Sequence, residues 1–77
     1  MLAPLIRTTR QRRGWSQYDL AFRTGLSPGT IREIESGRVR RHKRRTLEKL
    51  AAALGLSLAE LEAAAERDAA GIGGRDA

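Results

Sequence analysis

Residues 17–37 read QYDLAFRTGLSPGTIREIESG, and the stretch parses as two short helices joined by a tight turn. Each half opens with the same start signal. Ser16 stands before the first helix, with Trp15 ahead of it and Leu20 four residues on; Ser27 stands before the second, with Leu26 and Ile31 in the equivalent places. A serine hydroxyl accepts hydrogen bonds from the free N–H groups of a first helical turn, and the flanking apolar pair fixes the angle of entry. Pro28 falls on the first helical position, where its missing N–H costs nothing. Gly25 and Gly37 fall where each helix has to end on a residue that tolerates φ > 0. Leu20, Ala21, Leu26, Ile31 and Ile34 then share one apolar side, and the small Ala21 lets the two helices cross closely.

Composition narrows the function classes. The chain has 77 residues, one domain at a size where a single core leaves little margin. It contains no Cys, so disulfides and thiolate metal sites are excluded, and the single His42 builds no metal centre. Packing between helices has to hold the fold, with dimerisation as a second source, and no cofactor is implied. His42 lies inside a basic run and reads as a solvated side chain, with a phosphate or base contact as the other reading. The net charge is +6 and the isoelectric point about 11.3. Residues 1–45 carry 12 Lys/Arg against 3 Asp/Glu, whereas 46–77 carry 3 against 6. A basic part joined to a mildly acidic one points to a polyanion on one face. No run approaches the ~18 apolar residues of a membrane span, and no apolar signal region follows the start. A cytoplasmic protein with no membrane partner is expected. Paired carboxylates, a nucleophile–base pair and a phosphate-binding glycine loop are all missing, and the GIGG at 71–74 follows no strand. No enzymatic role is expected.

Outside the motif, Met1 to Arg13 reads as a first helix, with Pro4 near its start, Gly14 as its stop, and Leu2, Leu5 or Ile6, Thr9 and Arg13 as inward positions. Tyr18 and Phe22 lie four apart on one helix face and are expected to pack at the core or its rim. With 4% aromatics, RNA binding by base stacking has little support. Residues 38–45, RVRRHKRR, hold six Lys/Arg in eight positions, a solvated loop in one reading and a phosphate clamp or minor-groove arm in the other. Thr46 is expected to cap a fourth helix carrying Leu47, Leu50, Ala51 and Leu54 and ending at Gly55. Ser57-x-x-Glu60, with Leu56 and Leu61 around it, gives a capping box and staple for a fifth. Past Glu62 the apolar stripe is lost, so that helix is expected to fray near 66–70 and to end disordered.

Two helices that cross steeply through a turn of about three or four residues form a helix-turn-helix unit. Here the unit sits in a longer string: Ser16-Gln17-x-x-Leu20-Ala21, Gly25-Leu26-Ser27, Ile31, Ile34-Glu35-x-Gly37, then Leu47, Leu50, Ala51, Ala53-Leu54-Gly55-Leu56-Ser57-Leu58 and Leu61. Over residues 5–62 this resembles the phage-repressor/Cro-type (XRE) helix-turn-helix family. The resemblance implies an all-α fold, a compact five-helix lambda-repressor-like DNA-binding domain over 1–64 with its motif at 17–37, followed by a frayed or disordered tail over 65–77.

Carried over by position, the resemblance turns Ser27, Pro28, Gly29, Arg32 and Glu33 toward base edges in the major groove, with Thr30 nearer the DNA backbone. Relatives often hold Gln, Arg or Asn where Pro28 and Gly29 stand. Those side chains make bidentate bonds to adenine or guanine, and Pro28 and Gly29 cannot. Direct reading then falls to Arg32 on guanine, Glu33 on the cytosine amino group and Pro28 on a thymine methyl. A phosphate contact for Arg32 and an exposed or intrahelical partner for Glu33 are the plainer alternatives. Gln17 resembles the family's phosphate anchor at a helix N-terminus. Thr46 at the start of helix 4, with Arg38, Arg40, Arg41, Lys43, Arg44 and Arg45, supplies further phosphate contacts. Arg10 matches a position that pairs with an acid late in the recognition helix, here Glu35; a solvated Arg is the alternative.

The implied partner is double-stranded DNA, read by a homodimer on a pseudo-palindromic operator, and the implied role is transcription regulation, most simply as a repressor. The candidate dimer surfaces are the 38–46 loop and the helix 5 face around Leu58, Leu61 and Ala65. No small-molecule ligand is implied. Two other readings stay open: an antitoxin-like or adaptor protein of the same fold that binds a protein partner as well as DNA, and non-specific DNA binding through the arginine-rich loop.

Overall fold

Local start and stop signals decide where most of the helix ends lie. The computed structural model describes the backbone of residues 1–76 and the side-chain surroundings of residues 1–69. Among the described residues there are five helices: α1 (Leu2–Arg12), α2 (Gln17–Thr24), α3 (Pro28–Ser36), α4 (Arg44–Leu54) and α5 (Leu58–Asp76). Ser16 caps α2, its hydroxyl accepting from Asp19 N–H at 3.0 Å while Asp19 Oδ2 accepts from Ser16 N–H at 2.8 Å. Ser27 accepts from Thr30 N–H to start α3, and Ser57 and Glu60 close the box expected ahead of α5. Gly25 and Gly37 end α2 and α3 with φ of 77° and 78°, the left-handed backbone that a residue with a Cβ adopts only at a cost.

The five apolar stripes meet in one core. Leu2 and Ile6 of α1, Leu20 of α2, Ile31 of α3, Leu50 and Leu54 of α4 and Leu61 of α5 are its fully buried side chains. Helix α2 presses on α3 and α4, and α1 lies across α3, α4 and α5. The all-α arrangement read from the sequence is present, and its details differ in four places.

First, the inward stripe of α1 is Leu2, Ala3, Ile6 and Arg10. Thr9 is half-buried, its hydroxyl donating to Leu5 O, and Arg13 is exposed. Spacings of four carry the stripe to position 10, and an Arg there is tolerated because an acid waits opposite it. Second, Tyr18 and Phe22 do not pack: they are 67% and 89% exposed. The buried face of α2 is Leu20, Ala21 and Thr24, and at about 100° per residue Tyr18 and Phe22 lie off that face. Third, α4 begins at Arg44 rather than after Thr46. Lys43 is its N-cap, without a side-chain bond, and Thr46 lies inside the first turn. Nothing in 38–45 breaks a helix, and Arg44 pairs with Glu48 one turn on at 3.2 Å.

Fourth, α5 continues to Asp76, past the point where its stripe gives out. The alanines at 63–65 and 69 are the strongest helix formers and carry it on. Within the stretch set apart as a tail, Ala65 packs on the core and Asp68 Oδ2 accepts from Leu2 N–H at 3.0 Å. The side chains of 70–77, and Ala77 altogether, lie outside the described residues. Of the α5 face offered above for dimerisation, Leu61 is fully buried, and Leu58 and Ala65 are half-buried against the core. Among the described residues no helix is long and apolar enough to cross a membrane.

Asp68 thus caps α1 from another helix. Its carboxyl is held below its ordinary value of 3.8, first by the Leu2 N–H and then by the Met1 ammonium 3.2 Å away, against an opposing push from burial. A carboxylate with a depressed folded-state pKa stabilises fully above its unfolded value, and that share is lost as pH falls through the folded one. Asp68→Ala should therefore cost about 1 kcal/mol at pH 7, the usual worth of a cap. The difference from the parent should shrink below about pH 4, as read by urea unfolding at several pH values. An equal loss at every pH would show that the charge of Asp68 plays no part.

Candidate nucleic-acid interface

Three helices converge on one buried acid. Glu35, near the end of α3, is 5% exposed and Arg10 of α1 is 9% exposed. Arg10 Nε donates to Glu35 Oε2 at 2.7 Å and Nη2 donates to Oε1 at 2.9 Å, a two-pronged pair. Arg10 Nη1 donates to Trp15 O at 2.8 Å, which ties in the turn ahead of α2. Bonding to Glu35 raises the guanidinium pKa against the opposing pull of burial, so this Arg stays charged. Gln17, at the start of α2, completes the set: its Nε2 donates to Glu35 Oε1 at 3.1 Å. The pairing of Arg10 with Glu35 is as expected. The Gln17 bond went unforeseen, although two long polar side chains at the mouths of neighbouring helices were the available signal.

Around this anchor α3 shows its first turns to solvent. Arg32 and Glu33 are exposed; Pro28, Gly29 and Thr30 are half-buried. The hydroxyls of Ser27 and Thr30 lie 2.9 Å apart, turned onto each other. Beside them an open groove of about 730 Å³ runs between α3 and the loop leading to α4. Ser27, Gly29, Thr30, Arg32 and Glu33 line one side, and Arg41, Lys43 and Thr46 line the other. Eight of the residues singled out from sequence thus share one concave surface. His42 also lines it, as does Val39, which the sequence did not single out.

The remaining candidates lie elsewhere. Gln17 sits outside the groove wall, held to Glu35. Arg44 turns toward α5, its Nη1 3.7 Å from Glu62 Oε2 as well as its Nε on Glu48. Arg40 lies close enough to Asp68 to help hold that carboxylate ionised. Arg38 and Arg45 are exposed. His42 is half-buried rather than solvated, and burial pushes its pKa below the usual value, with Asp68 opposing the shift. The loop is folded back onto the body of the domain, which is why its histidine is covered. Two further arginines bracket Trp15: Arg23 stacks at 4.2 Å from the ring centroid and Arg13 at 5.2 Å. Arg13 also donates to Leu54 O at 2.9 Å, closing α1 onto the end of α4.

Comparison with known proteins fits this geometry. A family model described as helix-turn-helix matches residues 6–61, and the chain belongs to that family, in its XRE type. Its class is therefore that of DNA-binding transcription regulators with a lambda-repressor-like fold. Among solved structures, the SinR protein of a SinR protein/SinI protein complex is similar, with a TM-score of 0.74 and 28% sequence identity over 79% of this chain. This chain spans 59% of the length of that one. No curated protein matches it in sequence.

The buried pair makes a sharp energetic prediction. Removing one partner of such a pair leaves the other charge without compensation, at a cost of about 3–5 kcal/mol. Glu35→Ala should lower the unfolding free energy by that amount in a urea titration. A loss under about 1 kcal/mol, as for an exposed pair, would mean that Arg10 escapes to water.

Proposed function

We propose that this chain binds double-stranded DNA in a sequence-specific way and acts as a repressor by occupying a promoter. In this reading α3 lies in the major groove. Arg32 reads guanine, Glu33 reads the cytosine amino group, and Pro28 meets a thymine methyl. Gln17, Thr30, Arg38, Arg41, Lys43 and Arg45 contact phosphates. One N–H of the Gln17 amide goes to Glu35 and the second is free to meet a phosphate, since the group has two. Arg40 and Arg44, drawn toward acids of the chain itself, contribute less, and Thr46 contributes from inside the first turn of α4. The observation that carries the reading is the groove, with base-reading candidates on one wall and loop cations on the other.

The reading includes a homodimer on a pseudo-palindromic operator. Of the two candidate surfaces for pairing, the 38–46 loop is the more exposed. A second reading adds a protein partner beside DNA. It is favoured by the similarity to SinR, whose solved structure is a complex with the SinI protein, and by the exposure of Tyr18 and Phe22 on α2.

Selection of bound duplexes from random DNA tests the proposal. A homodimer should return two inverted half-sites about 10 base pairs apart, or a multiple of that. Against the selected duplex, engagement of six phosphates by one subunit gives a slope of log K against log salt of about −5. Arg32→Ala should lose about 5- to 150-fold in affinity for that duplex, the worth of one bidentate base contact of roughly 1–3 kcal/mol, and relax the preference at one position. Equal binding to scrambled DNA, with no effect of Arg32→Ala, would instead mark a non-specific binder held by its loop.

A further inference from the structure

Gly29 stands apart from the other glycines of the first four helices and their turns. Gly14, Gly25, Gly37 and Gly55 all have φ between 72° and 78°, so the backbone itself calls for glycine there. Gly29 has an ordinary helical backbone on the second position of α3. A Cβ built on it would meet only Ser27 Oγ, at 3.8 Å, an ordinary van der Waals distance. Neither strain nor crowding within the chain accounts for it. Glycine also makes a poorer helix than alanine, because it loses more backbone freedom on folding. The chain therefore carries a destabilising residue at a place where its own packing asks for none, on the wall of the groove beside α3.

We propose that Gly29 is a specificity-determining clearance: its bare backbone makes room for the C5-methyl of a thymine, seated against the Pro28 ring. The inference rests on the DNA-binding reading of the α3 face and adds what that face excludes as well as what it holds. Neither Pro28 nor Gly29 offers a side-chain donor or acceptor, so the base pair opposite them is read by shape. The thymine methyl is the apolar group that projects into the major groove. An added Cβ would occupy the volume the methyl needs, and the close approach of α3 to the duplex would be lost with it.

Stability and binding then move in opposite directions, which separates this role from a structural one. Gly29→Ala should raise the Tm by a few degrees, since a small helix-propensity gain shifts a domain of this size by about that much. The same variant should bind the duplex selected by the parent chain at least about tenfold more weakly, and its own selected site should lose thymine at one position per half-site. Replacing that thymine by deoxyuridine, which removes only the methyl, should weaken the parent and leave Gly29→Ala unaffected. Retained affinity and an unchanged selected site in Gly29→Ala would overturn the inference while leaving the DNA reading intact. A parent chain that selects no duplex would overturn both.

Discussion

The contact on which the rest of the structure depends is the buried bond between Arg10 and Glu35. It joins the last turn of α1 to the last turn of α3, and through Trp15 O and Gln17 it reaches the entrance of α2. Taking two charges out of water is costly, and a well-packed apolar pair of similar volume is often as stable. What the ion pair adds is direction. A guanidinium that meets a carboxylate through two parallel bonds fixes both position and angle. In a 77-residue chain without disulfides, that geometric restraint holds the second helix of the motif against α1.

Charge is then sorted over the surface. The acids of α4 and α5 take up part of the basic stretch, Arg44 on Glu48 and Glu62 and Arg40 toward Asp68. Arg41 and Lys43 are left beside Arg32 on the groove. The acidic second half of the chain thus offsets part of the charge of the basic stretch. Asp68 has two tasks in this arrangement, since it also caps α1. The start of the chain and α5 are thereby linked through one carboxylate.

Much of this was legible in the sequence because it is local. Ser16, Ser27 and Ser57, with Gly25, Gly37 and Gly55, mark helix ends through bonds that span only a few residues, and the apolar stripes of α2, α3 and α4 follow from period alone. The partnership of Arg10 and Glu35 came from resemblance, since nothing in the spacing of residues 25 apart predicts it. What escaped was non-local. Asp68 reaches Leu2 across nearly the whole chain, and its docking is invisible in a stretch that has lost its stripe. His42 is covered by the fold of its own loop, which no periodicity governs. Thr46 offers a capping hydroxyl in the sequence, whereas the first turn of α4 forms ahead of it with support from Arg44 and Glu48. For Tyr18 and Phe22 the apolar character suggests packing, whereas their angle relative to Leu20, Ala21 and Thr24 places them off the buried face.

Under the proposed function, the ion pair serves the DNA-binding face by holding Gln17 and α3 in place, more than it serves stability. The direct measurement is made on the double variant Arg10→Met/Glu35→Leu, which replaces the pair by apolar side chains and strands no charge. The account predicts an unfolding free energy equal to or above that of the parent, together with weaker binding to the selected duplex and a salt slope reduced by about 0.9, the share of one phosphate. A double variant that binds the duplex as tightly as the parent, with the same salt slope, would contradict it.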